Sequence, residues 1–462
     1  MAVQGAVMVP HPPLIIPEVG KGRERDIQAT IDAYRAAARQ AAAWRPETVV
    51  IVSPHSVMYA DYFHISPGEE AEGDLGQFGA PQVRIRARYD TAFVKLLCQE
   101  AQARGISAGT LGERDPRLDH GTLIPLWFLD QYDTEYQVAR IGLSGLPFSC
   151  HYQLGQCIKK AAELLDRRVV VIGSGDLSHR LKADGPYGYR AEGPEYDRRI
   201  MDVMGTADFG GLFDFSEDFC ENAAECGHRS FLILAGALDR LEVKARKLSY
   251  EGPFGVGYGV CVYEAGAPEP ERNYLDRYED QIREEAKARK AAEDPYVKLA
   301  RAAVESYVGT GKKAEIPLDL PREMYGTRAG VFVSLKEGGK LRGCIGTIAP
   351  TQNNVAEEII ANAVSAAARD PRFDPVEPEE LDRLVYSVDV LGEAEEIDSQ
   401  EELDVKRYGV IVTRGHKRGL LLPDLEGIET VEEQVAVAKR KAGIPEGAKD
   451  IRLERFEVVR HF

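Results

Sequence analysis

The chain has no C-x-x-C pair, no excess of positive charge and no long uninterrupted apolar run. Each absence closes off a class of function. Its seven cysteines, Cys98, Cys150, Cys157, Cys220, Cys226, Cys261 and Cys344, are scattered and odd in number. Zinc ribbons and thioredoxin-like motifs need paired spacing, so neither is expected. A scattered set suits reduced thiols in a cytosol. Lys and Arg number 58 against 75 Asp and Glu, for a net charge of -17. Non-specific binding to nucleic acid or an anionic membrane needs a basic face, so neither is expected as a partner. No apolar stretch is long enough to span a bilayer. The opening MAVQGAVMVPHPPLIIP lacks a basic n-region and carries prolines within its apolar run, which makes it a poor signal peptide. A cytoplasmic location is therefore the expectation. Internal repeats and low-complexity tracts are absent too.

What is present is enough chain for two or three domains: 462 residues, at roughly 100–200 residues per domain. In the first half, short Val/Ile runs alternate with helical patterns. GAVMV (5–9), ETVVIVS (47–53), YQVARIGL (136–143) and RVVVIGS (168–174) read as buried strands. Residues 26–44 place Ile27, Ile31, Tyr34, Ala38 and Ala41 on one helical face. Continuous apolar strands separated by helices predict a mostly parallel sheet covered on both faces, an α/β domain. KARKLSY (244–250) and GYGVCVYE (257–264) read as a closing pair of strands.

Composition shifts near residue 266. Residues 267–294 are rich in charge and poor in large aliphatics, and read as an exposed linker that becomes a solvated helix. The expected division is 1–266, linker 267–294, and 295–462. The last segment starts with a helical stripe over 296–308. It continues through a strand–Gly-Gly–strand unit (330–348), a helix (353–370) closed by Pro371, and a strand (384–391). A hairpin (408–423), a helix (430–443) and a final strand (451–459) follow. Clustered antiparallel strands with few helices predict a smaller α+β domain.

Seven of the nine histidines precede residue 230. His11 and His55 directly follow predicted strands, and His179 follows a third after a short G-D-L-S loop. Ligand sites in open α/β sheets form beyond the carboxyl ends of the strands, so these three imidazoles converge on one crevice. Two histidines and a carboxylate can hold a metal with open positions for substrate and dioxygen. Glu225, just before an apolar helix, is the carboxylate candidate. Ordinary roles remain open to each residue: His11 ending a strand, His55 bonding a turn, Glu225 as a helix-end charge, His120 as a satisfied core histidine.

The ordered set PHPP (His11), SPHS (His55), LDHG (His120), GSGDLSH (His179) and AAECG (Glu225) resembles the class III extradiol ring-cleavage dioxygenases and the Memo proteins that share their fold. The likeness spans roughly residues 5–265. It implies Fe(II), or another divalent metal, on His11, His55 and Glu225, with His179 as acid/base and His120 near the substrate. Memo proteins use a cysteine where the dioxygenases use the glutamate, and Cys226 adjoins Glu225, so the third ligand stays open between them. LRGCIGT (341–347), with RDPRF (369–373) and RGLLLP (418–423), resembles the AMMECR-type domain over about 295–462. The fusion looks like the AmmeMemoRadiSam system, which implies a radical SAM protein as partner.

Two functions follow as expectations. The first is an Fe(II)-dependent extradiol-type dioxygenase acting with dioxygen on a small catechol-like aromatic, His179 accepting and later returning a proton and His120 bonding a substrate oxygen. The alternative is a non-catalytic metal-binding or assembly module for the radical SAM partner. Cys344 between two glycines is read as a packed residue rather than a nucleophile, with Arg342 the nearest basic neighbour in sequence. The sequence leaves the oligomeric state open.

Overall fold

The structure is a computed structural model describing residues 2–185, 187–425 and 427–462. It divides into two compact units, Met1–Tyr278 and Glu279–Phe462, so the division falls within the helix Tyr274–Ala292.

The Val/Ile runs of the first unit become β1 (Val3–Val9), β2 (Thr48–Ser53), β3 (Gln137–Gly142) and β4 (Val169–Ser174). The closing pair becomes β5 (Leu241–Glu251) and β6 (Tyr258–Pro268). They form one sheet in the order β3-β2-β4-β1-β6-β5. The first four strands are parallel, and β6 runs antiparallel to both β1 and β5. Because side chains alternate across a strand, Ala6 and Met8 enter one core and Val7 and Val9 the other. Helices α1 (Gln28–Ala43) and α2 (His120–Leu129) cover the Val7 face. Helices α3 (Phe148–Leu165) and α4 (His228–Ala237) cover the Met8 face. The predicted two-sided burial is what makes these strands apolar throughout rather than alternating.

Parallel pairing also brings the strand ends level. Val9 sits opposite Ser174 and Ser53 opposite Gly142. The residues that follow β1, β2 and β4 therefore leave the sheet side by side.

The second unit holds two four-stranded antiparallel sheets. One contains Lys340–Gly346, Val331–Glu337, Leu384–Leu391 and Val458–His461, in that order. The other contains Glu395–Ile397, Arg452–Phe456, Gly409–Arg414 and Lys417–Leu421. The single strand expected over 451–459 is broken at Glu457. There the Gly392 N–H donates to the Glu457 carbonyl at 2.8 Å, where both chain segments pass from one sheet to the other, as strands do at the corners of packed sheets.

Cys344 is half-buried rather than packed away. It accepts a hydrogen bond from Ser334 Oγ at 3.2 Å, donates its N–H to Asp370 and receives Arg372 on its carbonyl. Arg342 turns instead to Glu380 at 2.9 Å. Among the described residues, no helix is long and apolar enough to cross a membrane.

Candidate metal centre

His11 lies two residues past β1. Its N–H donates to Asp176 Oδ1 at 2.8 Å, which fixes the chain as it leaves the sheet. His55 lies two residues past β2, its N–H donating to Ser53 Oγ at 3.2 Å. The two imidazoles meet edge to face, with their Nε2 atoms 3.0 Å apart.

The third donor is Cys226. Its Sγ lies 3.6 Å from His11 Nε2, and the ligand atoms of His11, His55 and Cys226 all fall within 4.8 Å of one another. Main-chain packing puts it there. Gly175, just past β4, touches Gly227 so closely that a Cβ on Gly175 would lie 2.1 Å from the Gly227 Cα. The Asp176 N–H donates to Cys226 Sγ at 3.3 Å, and the Cys226 N–H returns to the Asp176 carbonyl. Gly175→Ala should force these loops apart. The expected cost is about 1–3 kcal/mol of stability, the usual penalty of overpacking, together with weaker metal binding, read by urea melts and metal titration.

Glu225, expected as a ligand, is not brought to this cluster. The chain passes through the left-handed region at Ala224 (φ 52°) just before the two residues. The Glu225 carboxylate accepts the His228 N–H at 2.6 Å, in the first turn of α4, and lies 3.4 Å from the Tyr196 hydroxyl. Burial pushes its pKa up to about 7. Of the two candidates the sequence left open, Cys226 therefore stands with the histidines and Glu225 stands at the first turn of α4. Cys226→Ala should lower metal affinity by more than the roughly 10–100-fold that loss of an outer partner costs, whereas Glu225→Gln should retain the metal. Competition with a chromogenic chelator separates the two results.

His120 and His179 stand beside the three donors without joining them. The His120 ring is 4.1 Å from that of His55 and 5.4 Å from that of His11. It opens α2, which is capped by Asp119 accepting the Thr122 N–H at 3.0 Å. His179 Nδ1 donates to the Ala224 carbonyl at 2.6 Å, which leaves Nε2 with the lone pair. A cleft of about 460 Å³ opens on His55 and His120, with Phe78, Leu118, Arg117 and Arg140 among its walls.

Burial sets the charge of the site. It lowers the pKa of His11 well below the usual imidazole value, with His55, His120 and His179 adding to the effect. Burial also lowers His55 and His179, and takes His120 to about 4. It pushes the Cys226 thiol well up. The imidazoles are therefore neutral and ready to ligate, while the thiol stays protonated until a cation displaces its proton. Neutral imidazoles with a potential thiolate fit a first-row divalent ion.

Sequence reasoning missed Ser53, Ser174, Asp119 and Asp176, which carry the hydrogen bonds around the histidines. The signal was a serine closing each of the two strands that precede His55 and His179.

Comparison with known proteins agrees with this architecture. Residues 5–261 match the family described as the catalytic LigB subunit of aromatic ring-opening dioxygenase, and residues 297–461 match AMMECR1. A protein of Clostridium acetobutylicum is 42% identical over 470 residues, covering 100% of this chain and 99% of its own length. A Thermotoga maritima protein is 54% identical over 170 residues, covering 37% of this chain and 98% of its own. A crystal structure of a Pyrococcus horikoshii protein, 38% identical with a TM-score of 0.34, covers 36% of this chain and 88% of that one. The chain belongs to the LigB family, that of the catalytic subunit of aromatic ring-opening dioxygenases, through its first half, and carries an AMMECR1 domain in its second.

Proposed function

We propose that the first unit is a mononuclear metal oxidoreductase of the extradiol type, acting with dioxygen on a small catechol-like aromatic. His11, His55 and Cys226 would hold the metal, taken here as Fe(II). The observation that carries this reading is the pair of neutral histidines, His120 and His179, left beside the three donors, with His120 also lining the cleft. A centre that only stores metal has no need of two unligated imidazoles.

When bound, ferrous iron supplies the Lewis-acidic, redox-active point at which a diol and dioxygen meet. The chain's own residues do the rest. His179 offers Nε2 as a base for a phenolic proton and returns that proton later, its ring steadied by the Ala224 carbonyl. His120 hydrogen-bonds a substrate oxygen. Phe78, packed edge-on against His120 with 5.2 Å between ring centroids, gives the substrate ring an apolar wall. The test is dioxygen uptake by anaerobically purified, iron-loaded protein across a panel of catechols. Uptake is expected with at least one of them, and none across the panel would sink the catalytic reading.

One observation favours a second reading. A thiolate in place of the carboxylate is a softer ligand, suited to metals other than iron. Under that reading the chain is a metal-binding or assembly module working with a radical SAM protein. It predicts a tightly held metal, no dioxygen uptake, and co-elution of the two proteins on gel filtration.

A further inference from the structure

Helix α2 contains a proline, Pro125. Proline has no N–H, so the carbonyl four residues earlier in the helix loses its donor. Here that carbonyl belongs to Gly121, next to His120. It does not stay bare: the Ser174 hydroxyl donates to it at 2.6 Å. A hydroxyl has one proton to give. With that proton on Gly121, Ser174 Oγ can only accept from its other partner, His11 Nδ1, at 2.9 Å. Nδ1 therefore bears the imidazole hydrogen and Nε2 is left with its lone pair. Nε2 is the atom that faces His55 and Cys226. Ser174 and His11 are 0% and 2% exposed, so solvent does not compete for these bonds.

We infer that Pro125 and Ser174 are positioning residues that fix His11 in its Nδ1–H tautomer and so set which nitrogen it offers to a cation. The chain of contacts runs from the missing amide of Pro125, through the Gly121 carbonyl and the Ser174 hydroxyl, to His11. A second tie anchors the neighbouring ligand to the same helix turn. Ser53 donates to Asp119 Oδ1 at 2.5 Å, and its oxygen receives the His55 N–H. Both strand-end serines thus connect the histidines to the turn that carries His120. The consequence for metal affinity rests on the metal reading above, whereas the tautomer does not.

The experiment uses the full-length, metal-free protein labelled with ¹⁵N-histidine, and reads the protonated ring nitrogen of His11 by long-range ¹H–¹⁵N correlation. Zinc affinity is measured in parallel by competition. Wild type is expected to show His11 as Nδ1–H. Ser174→Ala should populate the Nε2–H form and lower zinc affinity roughly 10–100-fold, the usual cost of losing a partner behind a ligand. Ser174→Thr, which keeps the hydroxyl, should restore both. Pro125→Ala returns a competing N–H to Gly121 and should shift the tautomer in the same direction as Ser174→Ala. The inference is overturned if wild-type His11 is the Nε2–H tautomer, or if Ser174→Ala leaves both tautomer and zinc affinity unchanged. Nδ1–H in a wild type that binds no zinc would uphold the relay and sink the metal reading. Should Ser174→Ala fail to fold, the wild-type spectrum alone decides the tautomer.

Discussion

Alanine at both His11 and His55 is expected to leave a folded protein that retains no stoichiometric divalent metal. The two side chains supply both nitrogen donors of the three-donor cluster, so Cys226 would remain alone. A single thiol that burial holds in its protonated form competes poorly for a cation. Each substitution removes a direct ligand, and each should cost more than the roughly 10–100-fold loss typical of an outer partner. The two together should lower affinity by more than about 10²–10⁴-fold. The fold should survive, because the bond that shapes the chain here is from the His11 N–H to Asp176, which alanine keeps. Elemental analysis of the purified variant, with circular dichroism as the check on folding, reads both halves of the expectation. Full metal occupancy in the folded double variant would mean that the cluster is not the metal site.

His179→Gln should behave in the opposite way, keeping its metal and losing turnover. His179 is outside the three-donor group, and its Nδ1 is committed to the Ala224 carbonyl. A glutamine at this position can hydrogen-bond but cannot exchange a proton near neutral pH. General acid–base catalysis is typically worth roughly 10²–10⁴ in rate, and kcat for catechol-dependent dioxygen uptake should fall by that factor. Iron content should stay at the wild-type level, and catechol binding, followed by titration, should change little. Loss of iron in this variant would place His179 among the ligands. Unchanged uptake by a protein that does open catechol rings would remove it from the mechanism.

How much of this was legible before the structure depends on which forces decide each feature. The strands β1 to β4 were readable because burial on both faces leaves no room for polar alternation, so each writes a plain Val/Ile run. His11 and His55 were readable for a related reason: parallel strands end together, and residues just past those ends share a crevice. The third donor was not. Glu225 and Cys226 are neighbours, and which of them stands beside the histidines depends on packing, Cys226 against the distant Asp176 and Glu225 on the His228 amide, which leaves no periodic trace. Helix α2 was hidden by its own proline, which reads as a breaker although Asp119 caps the helix cleanly. The split of the last strand at Glu457 depends on Gly392, a partner more than sixty residues away.

The position of β1 has a consequence for biosynthesis. It is made before the other strands of its sheet, yet it lies inside that sheet between β4 and β6, and β6 is made long afterwards. His11 and Cys226 are 215 residues apart. At roughly 5–20 residues per second, the thiol is synthesised about 10–40 s after the imidazole it will face. Pairings this distant in sequence form late, because the intervening chain must be closed into a loop first. A cation offered to the nascent chain would meet stray imidazoles on an unfinished sheet. The complete set of donors exists only after translation has passed residue 226 and the sheet has closed around β1, so acquisition of the metal would report a finished first unit.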